Sequence, residues 1–130
     1  MYQQSFIEIS NGVSVEVKPV YLERESSPMT YKHVFTYFIT IRNLGTVPVQ
    51  LLKRSWEIKD SSGEQYEVSG DGVIGKQPVI PPGGEHAYNS YCVLKSCRGS
   101  MTGYYLMERE NGERIKVKIP RFQLISHILN

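Results

Sequence analysis

The chain has 130 residues, a formal net charge of +2 and 40% hydrophobic residues. This composition excludes a disordered or collagen-like chain, and so small a charge argues against nucleic acid as a partner. The sequence has no apolar run near the roughly 20 residues of a membrane span and no secretory signal at its start, so we expect one cytoplasmic domain over residues 1–130.

Apolar residues recur at every second position along most of the chain, which is the pattern of half-buried β-strands. Both faces of the run 34–41 are apolar, so this strand is expected to be central and covered on both sides. Turn residues separate the runs, and Asn111-Gly112 is the strongest hairpin signal among them. The predicted strands are 13–18, 34–41, 51–60, 64–69, 86–93, 101–109 and 114–119.

Strands of this length with turns between them predict an all-β fold. The expected architecture is an antiparallel sandwich of two sheets and about seven strands, of the fibronectin type III or immunoglobulin-like type. The tail after Pro120 is the one helix candidate, because Phe122, Ile125 and Leu129 would share a helical face.

Two irregular segments interrupt the strand pattern. Residues 21–31 are charged and polar, and they are predicted to form a loop. Residues 70–84 hold five Gly and three Pro, and long connections of this kind are often functional. The apolar residues of the second segment indicate that it packs against the domain; they are Val73, Ile74, Val79 and Ile80.

The second segment begins with a glycine motif. Gly70-Asp-Gly72-Val-Ile-Gly75 matches the G-x-G-x-x-G of dinucleotide-binding folds, which need a helix after the motif. Pro78 and the prolines after it deny that helix, so the dinucleotide fold is nearly excluded. Two interpretations stay open: glycines that bend a loop with positive φ, which is the commoner use, or glycine amides that bind an anion with help from Lys76.

Arg54 and Trp56 share one face of a predicted strand, because residues i and i+2 point the same way. Trp56 is expected in the core between the sheets. Arg54 is expected to point to the Gly70–Gly75 loop, where it would add charge to an anion site.

The sequence predicts no metal site and no cofactor. His33, His86 and His127 lie on separate segments, and Cys92 and Cys97 have no second cysteine pair to complete a zinc site. Cys92 lies within a predicted strand, where a free cysteine is usually a small buried hydrophobe.

The sequence also predicts no catalytic residue. Ser55, Ser90 and Ser100 are nucleophile candidates by residue type alone, because none lies in a G-x-S-x-G turn. Tyrosine is abundant, with nine residues, and some must be exposed, as on the interaction surfaces of other proteins. Arg114, Lys116 and Lys118 are expected to form a solvated strand face.

Several motifs together resemble the bacterial ApaG family, in family order from about residue 13 to residue 122. The resemblance implies a sandwich like a fibronectin type III domain and no firmly established enzymatic activity. It also implies an interaction role, as for ApaG-like domains in F-box proteins and in a DNA polymerase-interacting protein, and a family-level link to cobalt resistance and magnesium efflux. The motifs are Pro48–Leu52, Arg54–Ile58, Gly70–Pro78, Gly99–Tyr105 and Val117–Phe122.

One position departs from the family pattern: Ser55 stands where the family usually has His or another ring. The leading functional hypothesis is a non-catalytic binding domain for a protein partner, and the sequence marks no oligomer interface. The alternative is a small phosphate, pyrophosphate or nucleotide ligand, bound by Arg54, Gly70, Gly72, Gly75 and Lys76.

Overall fold

The computed structural model describes residues 4–126, which form nine β-strands and two short 3₁₀ turns, Glu23–Glu25 and Pro28–Thr30. No helix within the described residues is long and apolar enough to cross a lipid bilayer. The strands are β1 (Phe6–Ser10), β2 (Val13–Tyr21), β3 (His33–Asn43), β4 (Val49–Asp60), β5 (Gln65–Asp71), β6 (Val79–Ile80), β7 (Glu85–Leu94), β8 (Arg98–Arg109) and β9 (Arg114–Ile125).

The strands pair into two antiparallel sheets, so the predicted sandwich is confirmed. The first sheet has the order β1-β2-β3-β7, and the second has the order β5-β4-β8-β9, with β6 paired to the start of β4. Two strands, β1 and β6, were not among the predicted ones. Strand β6 is only two residues long. In the five-residue β1 the alternating Ile7 and Ile9 are exposed, and Phe6 is the residue that packs against the core.

Aromatic rings from both sheets meet in the core. Tyr37 of β3, Trp56 of β4 and Phe122 of β9 have ring centroids 5.4 to 6.0 Å apart. Such ring pairs contribute about 0.5–1.5 kcal/mol each beyond the area that they bury. Trp56 is 4% exposed, as predicted for a core residue.

Strand β3 is central, between β2 and β7, but only half of its outer face is covered. Val34 and Thr36 are buried there, whereas Phe38 is 47% exposed. At this end of the strand the Leu22 amide donates to the Val34 carbonyl, and the Val34 amide donates to the Ser26 hydroxyl. Because Phe38 is largely exposed, the expectation of two covered faces is wrong beyond Thr36.

The helix predicted after Pro120 is wrong. Strand β9 runs on through Pro120 to Ile125 and buries Phe122. Opposite this stretch, Met101 pairs with Phe122 but Gly103 pairs with Ile119, so β9 carries one extra residue. This bulge moves the inward positions from odd to even numbers. Phe122 and Ile125, which would share a helical face, therefore lie on opposite faces of the strand. Leu129 lies outside the described residues.

The two long sides of the sandwich differ. On one side β1 packs against β9: the Phe6 and Phe122 rings are 6.3 Å apart, and the Lys118 amide donates to the Ser10 hydroxyl at 2.8 Å. On the other side the sheets end in β7 and β5, which are not paired with each other. The sandwich is therefore closed at β1 and open between β5 and β7.

A buried carboxylate ties the β4–β5 turn to the β7–β8 turn. Asp60 accepts hydrogen bonds from the Lys95 amide at 2.6 Å, the Ser96 hydroxyl at 2.5 Å and the Ser62 amide at 3.1 Å. Burial alone would raise the pKa of Asp60, but these hydrogen bonds lower it below its ordinary value. The ionised carboxylate is therefore the form that stabilises the fold.

We expect Asp60→Asn to lower the free energy of unfolding by about 1–3 kcal/mol at pH 7, because an amide cannot accept all three hydrogen bonds. A carboxyl whose pKa is lowered by folding stabilises above its unfolded pKa, and the effect is lost as the pH falls through the folded pKa. The penalty should therefore shrink below the ordinary pKa of 3.8. Urea unfolding at pH 7 and pH 3 measures it, with the exposed Glu110→Gln as control. An equal penalty at both pH values would contradict this assignment.

Candidate functional site

The open side of the sandwich forms a cleft between β5 and β7, here called the β5–β7 cleft, with a volume of about 360 Å³. Its lining is mostly apolar and rich in tyrosine, and Arg54 is the one charged residue among the described residues that line it. Pockets of this size and character are typical ligand-binding sites in proteins. Its aromatic residues are Tyr37, Trp56, Tyr66, Tyr88 and Tyr91.

One wall of the cleft is a stretch of sheet interior that lacks a cover. Val68 of β5 lies directly opposite Trp56 of β4, and Tyr66 lies opposite Ile58, so all four side chains face the interior. Trp56 and Ile58 are 4% and 7% exposed, but Val68 and Tyr66 are 43% and 36% exposed. The second sheet therefore extends one strand beyond the first, and no strand formed by residues 4–126 lies over β5.

The floor of the cleft contains groups that are held in their neutral forms. Tyr88 lines the cleft, and its hydroxyl lies 2.6 Å from that of Tyr105, which is fully buried and does not line it. Burial raises the pKa of both hydroxyls. Burial also raises the pKa of Cys92 to about 11, so its thiol is protonated at neutral pH. Cys92 is free and buried, as predicted. These groups can donate and accept hydrogen bonds, but none is an activated nucleophile.

Each glycine of the motif meets a different steric demand. A Cβ on Gly70 would lie 3.1 Å from Nη1 of Arg54, and one on Gly72 would overlap the Lys76 carbonyl oxygen. Gly75 has a φ of +71° in a tight turn, where the Val73 amide donates to the Lys76 carbonyl and the Lys76 amide donates to the Val73 carbonyl. The bent-loop interpretation, with positive φ, therefore holds for Gly72 and Gly75. Gly70 has no positive φ and lies within β5, where the missing side chain leaves room for the Arg54 guanidinium.

Arg54 points to the glycine loop, as expected, but its contacts there are neutral. Its Nη1 donates to the carbonyls of Asp71 at 3.1 Å and Gly72 at 2.9 Å. The amides of Gly72, Val73 and Lys76 are themselves hydrogen-bonded to carbonyls. The predicted site residues do lie together, since Arg54 contacts the loop that holds Gly70, Gly72, Gly75 and Lys76; binding of an anion by them stays a prediction.

Ile74 occupies the first central position of this turn with a φ of +48°, and it is 62% exposed. Positive φ at both central residues makes it a type I′ turn, where Asn, Asp or Gly is usual, and a β-branched residue there is strained. Val73 and Ile80 are buried, as expected for a packed loop, but Ile74 and Val79 are not. The expectation is wrong for these two because Ile74 projects at the mouth of the cleft and Val79 lies on the exposed face of the two-residue β6.

Comparison with known proteins identifies the family. A family model described as the ApaG domain matches residues 23–109. The chain belongs to the ApaG family. It is 46% identical over 115 residues to Protein ApaG of Escherichia coli and of Shigella boydii, covering 88% of this chain and 92% of each relative. These names specify no reaction.

A solved structure agrees with the ApaG assignment. The crystal structure of a Bordetella pertussis protein named ApaA superposes with a TM-score of 0.86 at 35% identity, covering 94% of this chain and 96% of that one. In this ApaG-family chain Ser55 lies opposite Ser69 and Tyr104, on the face of β4 away from Trp56 and the cleft. The departure from the family pattern therefore lies outside the β5–β7 cleft.

The remaining candidates of the ApaG-family chain lie apart. No group of three His, Cys, Asp or Glu among residues 4–126 is placed to hold a metal ion. His33 is buried, with Nδ1 3.1 Å from the Tyr21 hydroxyl, and His127 lies outside the described residues. The predicted solvated strand face is exposed, and Nζ of Lys116 lies 4.5 Å from the Tyr104 ring centroid, a cation–π contact with the next strand.

We expect Gly72→Ala to destabilise the domain far more than Gly75→Ala. Both positions have positive φ, which costs alanine about 1 kcal/mol or more, but only at Gly72 would the new Cβ meet backbone. Urea unfolding of the two variants measures the difference. Equal losses would mean that the loop moves freely away from Lys76.

We expect Ile74→Asn to raise the free energy of unfolding by about 1 kcal/mol, because asparagine tolerates a left-handed conformation and isoleucine does not. Val79→Asn is the matched control, since Val79 is also β-branched and exposed but has no positive φ. Thermal unfolding compares them. A loss of stability at both positions would show that the Ile74 side chain stabilises the fold.

Proposed function

We propose that this ApaG-family domain is a non-catalytic binding module of the cytoplasm whose partner is a protein that docks in the β5–β7 cleft. The observation that carries the proposal is the exposure of Tyr66 and Val68, which face the sheet interior. Apolar side chains of that kind gain free energy when a partner removes them from water. Tyr91 lies on the outer face of β7 at the rim of the cleft, is 69% exposed, and adds the type of residue that interfaces favour.

Strain at the mouth of the cleft supports the same proposal. Ile74 is held in a left-handed conformation that asparagine or glycine would adopt at lower cost, and its side chain is largely exposed. Strained residues cluster at functional sites, where the surrounding structure holds them in place. A partner that contacts Ile74 would bury this apolar side chain, which is exposed to water in the isolated domain.

The chemistry of the cleft supports binding rather than catalysis. Its floor offers the neutral hydroxyl of Tyr88 and the protonated thiol of Cys92. A catalytic nucleophile needs a base within hydrogen-bond reach or a lowered pKa. On this proposal the family-level link to cobalt resistance and magnesium efflux acts through the partner.

The alternative is binding of a phosphate-containing ligand at the glycine loop. Its support is the grouping of Arg54 and Lys76 with the three glycines; against it, the amides of Gly72, Val73 and Lys76 already donate to carbonyls. A ligand that binds only the folded state raises the melting temperature. We expect pyrophosphate and GTP to leave it unchanged. A rise that Lys76→Ala removes would favour the alternative.

A pull-down from the native cell tests the main proposal. We expect the double variant Val68→Ser/Tyr91→Ser to lose the partner, because it removes apolar surface from the cleft without altering the buried core. Ile7→Ser is the matched control, since Ile7 is equally apolar and 62% exposed but lies on β1, at the opposite edge. Proteins that bind the wild type and all variants alike would overturn the proposal.

A further inference from the structure

The space that faces β5 lies beside β7, at the edge of the first sheet, and is wide enough for one further strand. Strand β7 pairs with β3 on one side, and no strand among the described residues pairs with its other side. Neighbouring strands lie about 4.8 Å apart and packed sheets about 10 Å apart. A strand added to β7 would therefore extend the first sheet over the interior face of β5.

Side-chain alternation gives the inward positions of such a strand. Along β5 the interior-facing positions are Tyr66, Val68 and Gly70, which pair with Ile58, Trp56 and Arg54. The first two present apolar surface. At the third there is no side chain on β5, and the Arg54 guanidinium lies against the Gly70 backbone instead.

The Arg54 end of the cleft carries an unneutralised positive charge. The hydrogen bonds of Arg54 go to two neutral carbonyls, and no carboxylate within residues 4–126 forms an ion pair with it. Near the opposite end, Lys95 is already paired with Glu64 at 2.5 Å. An acidic side chain therefore has a counter-ion at the Arg54 end only.

We propose, building on the function proposed above, that the partner contributes an extended segment of the pattern apolar-x-apolar-x-acidic, which adds to β7 as an antiparallel strand. Its two apolar side chains cover Tyr66 and Val68, and its Asp or Glu pairs with Arg54. The order of the pattern follows from the direction of β7. Lys95, just after β7, pairs with Glu64, just before Tyr66, so β7 runs from the Arg54 end of the cleft toward the Tyr66 end. An antiparallel strand on β7 runs the other way, so its apolar residues come first and its acidic residue last. Main-chain hydrogen bonds supply affinity and alternate side chains supply specificity, as in other cases of strand addition.

Selection from a phage-displayed library of random nine-residue peptides tests the pattern without a known partner. We expect the wild-type domain to enrich apolar-x-apolar-x-acidic sequences that the Val68→Ser/Tyr91→Ser variant does not bind. Enrichment of unrelated sequences that this variant also rejects would overturn the strand-addition inference and leave the proposed binding function supported. Sequences that the variant binds as well as the wild type would overturn both.

A charge cycle tests the Arg54 contact. Changing the acidic residue of a selected peptide to its amide should weaken binding to the wild-type domain about tenfold, because it removes a charge-assisted hydrogen bond. The same change should have little effect on binding to the Arg54→Gln variant, which already lacks that hydrogen bond. Circular dichroism and the melting temperature check that Arg54→Gln is folded. An equal loss on both proteins would overturn the assignment of the acidic residue to Arg54.

N-methylation along the selected peptide tests the main-chain pairing. In a strand added to an edge, only every second amide points to the neighbouring strand. We therefore expect affinity to fall at least tenfold at alternate positions and to change little at the positions between them. Affinity that is unchanged by N-methylation at every position would overturn strand addition.

Light scattering of the free domain tests whether a second copy occupies the edge of β7. A dimer that the Tyr91→Ser substitution converts to a monomer would assign the edge to a second copy and overturn the peptide as occupant.

Discussion

Side chains on the inner face of one sheet are buried only where the other sheet covers them, and in this domain the two sheets are offset at one side. At β1 and β9 the sheets meet, and the rings of Phe6 and Phe122 pack together. At β5 the second sheet has no counterpart above it, so Tyr66 and Val68 keep the orientation of core residues and the exposure of surface residues. The cleft, its tyrosines and the unpaired edge of β7 all follow from this offset.

The glycine loop frames one end of the cleft and shows why its motif is ambiguous. Gly70 leaves room for a guanidinium, Gly72 for a carbonyl and Gly75 for a turn. A dinucleotide-binding loop uses glycines for close approach of a phosphate, and the string of letters is the same. The sequence shows that these positions lack side chains, but it does not show whether protein atoms or a ligand occupy the space beside them.

Local alternation was enough to predict much of the fold from the sequence. It located seven of the nine strands, the sandwich and the core position of Trp56, because each depends on the period of two within one strand. The bulge at Pro120 shifted the inward positions of β9 from odd to even numbers, so a single period of two did not extend to the end of that strand. Which half of the outer face of β3 is covered depends on residues elsewhere in the chain, and no pattern within β3 indicates it.

The candidate site was less predictable, because it depends on how separate strands are placed and not on the pattern within one strand. The grouping of Arg54 with the glycine loop followed from strand geometry and a resemblance to the family. The cleft did not, because Tyr66 and Val68 alternate with polar residues as in any half-buried strand. Their exposure arises from the relative placement of two sheets. The one available signal was the abundance of tyrosine, and it does not specify a location.

The edge of β7 also bears on solubility. Proteins commonly protect exposed edge strands with charge, proline or a bulge, because unpaired strands recruit other chains into aggregates. Strand β5 presents the polar Gln65, Glu67 and Ser69 to solvent, but the outward residues of β7 in its second half are Tyr91 and Val93. A partner strand on β7 would thus shield this domain from aggregation, whereas overproducing the domain without that partner would leave the edge of β7 and its exposed Tyr91 and Val93 unprotected.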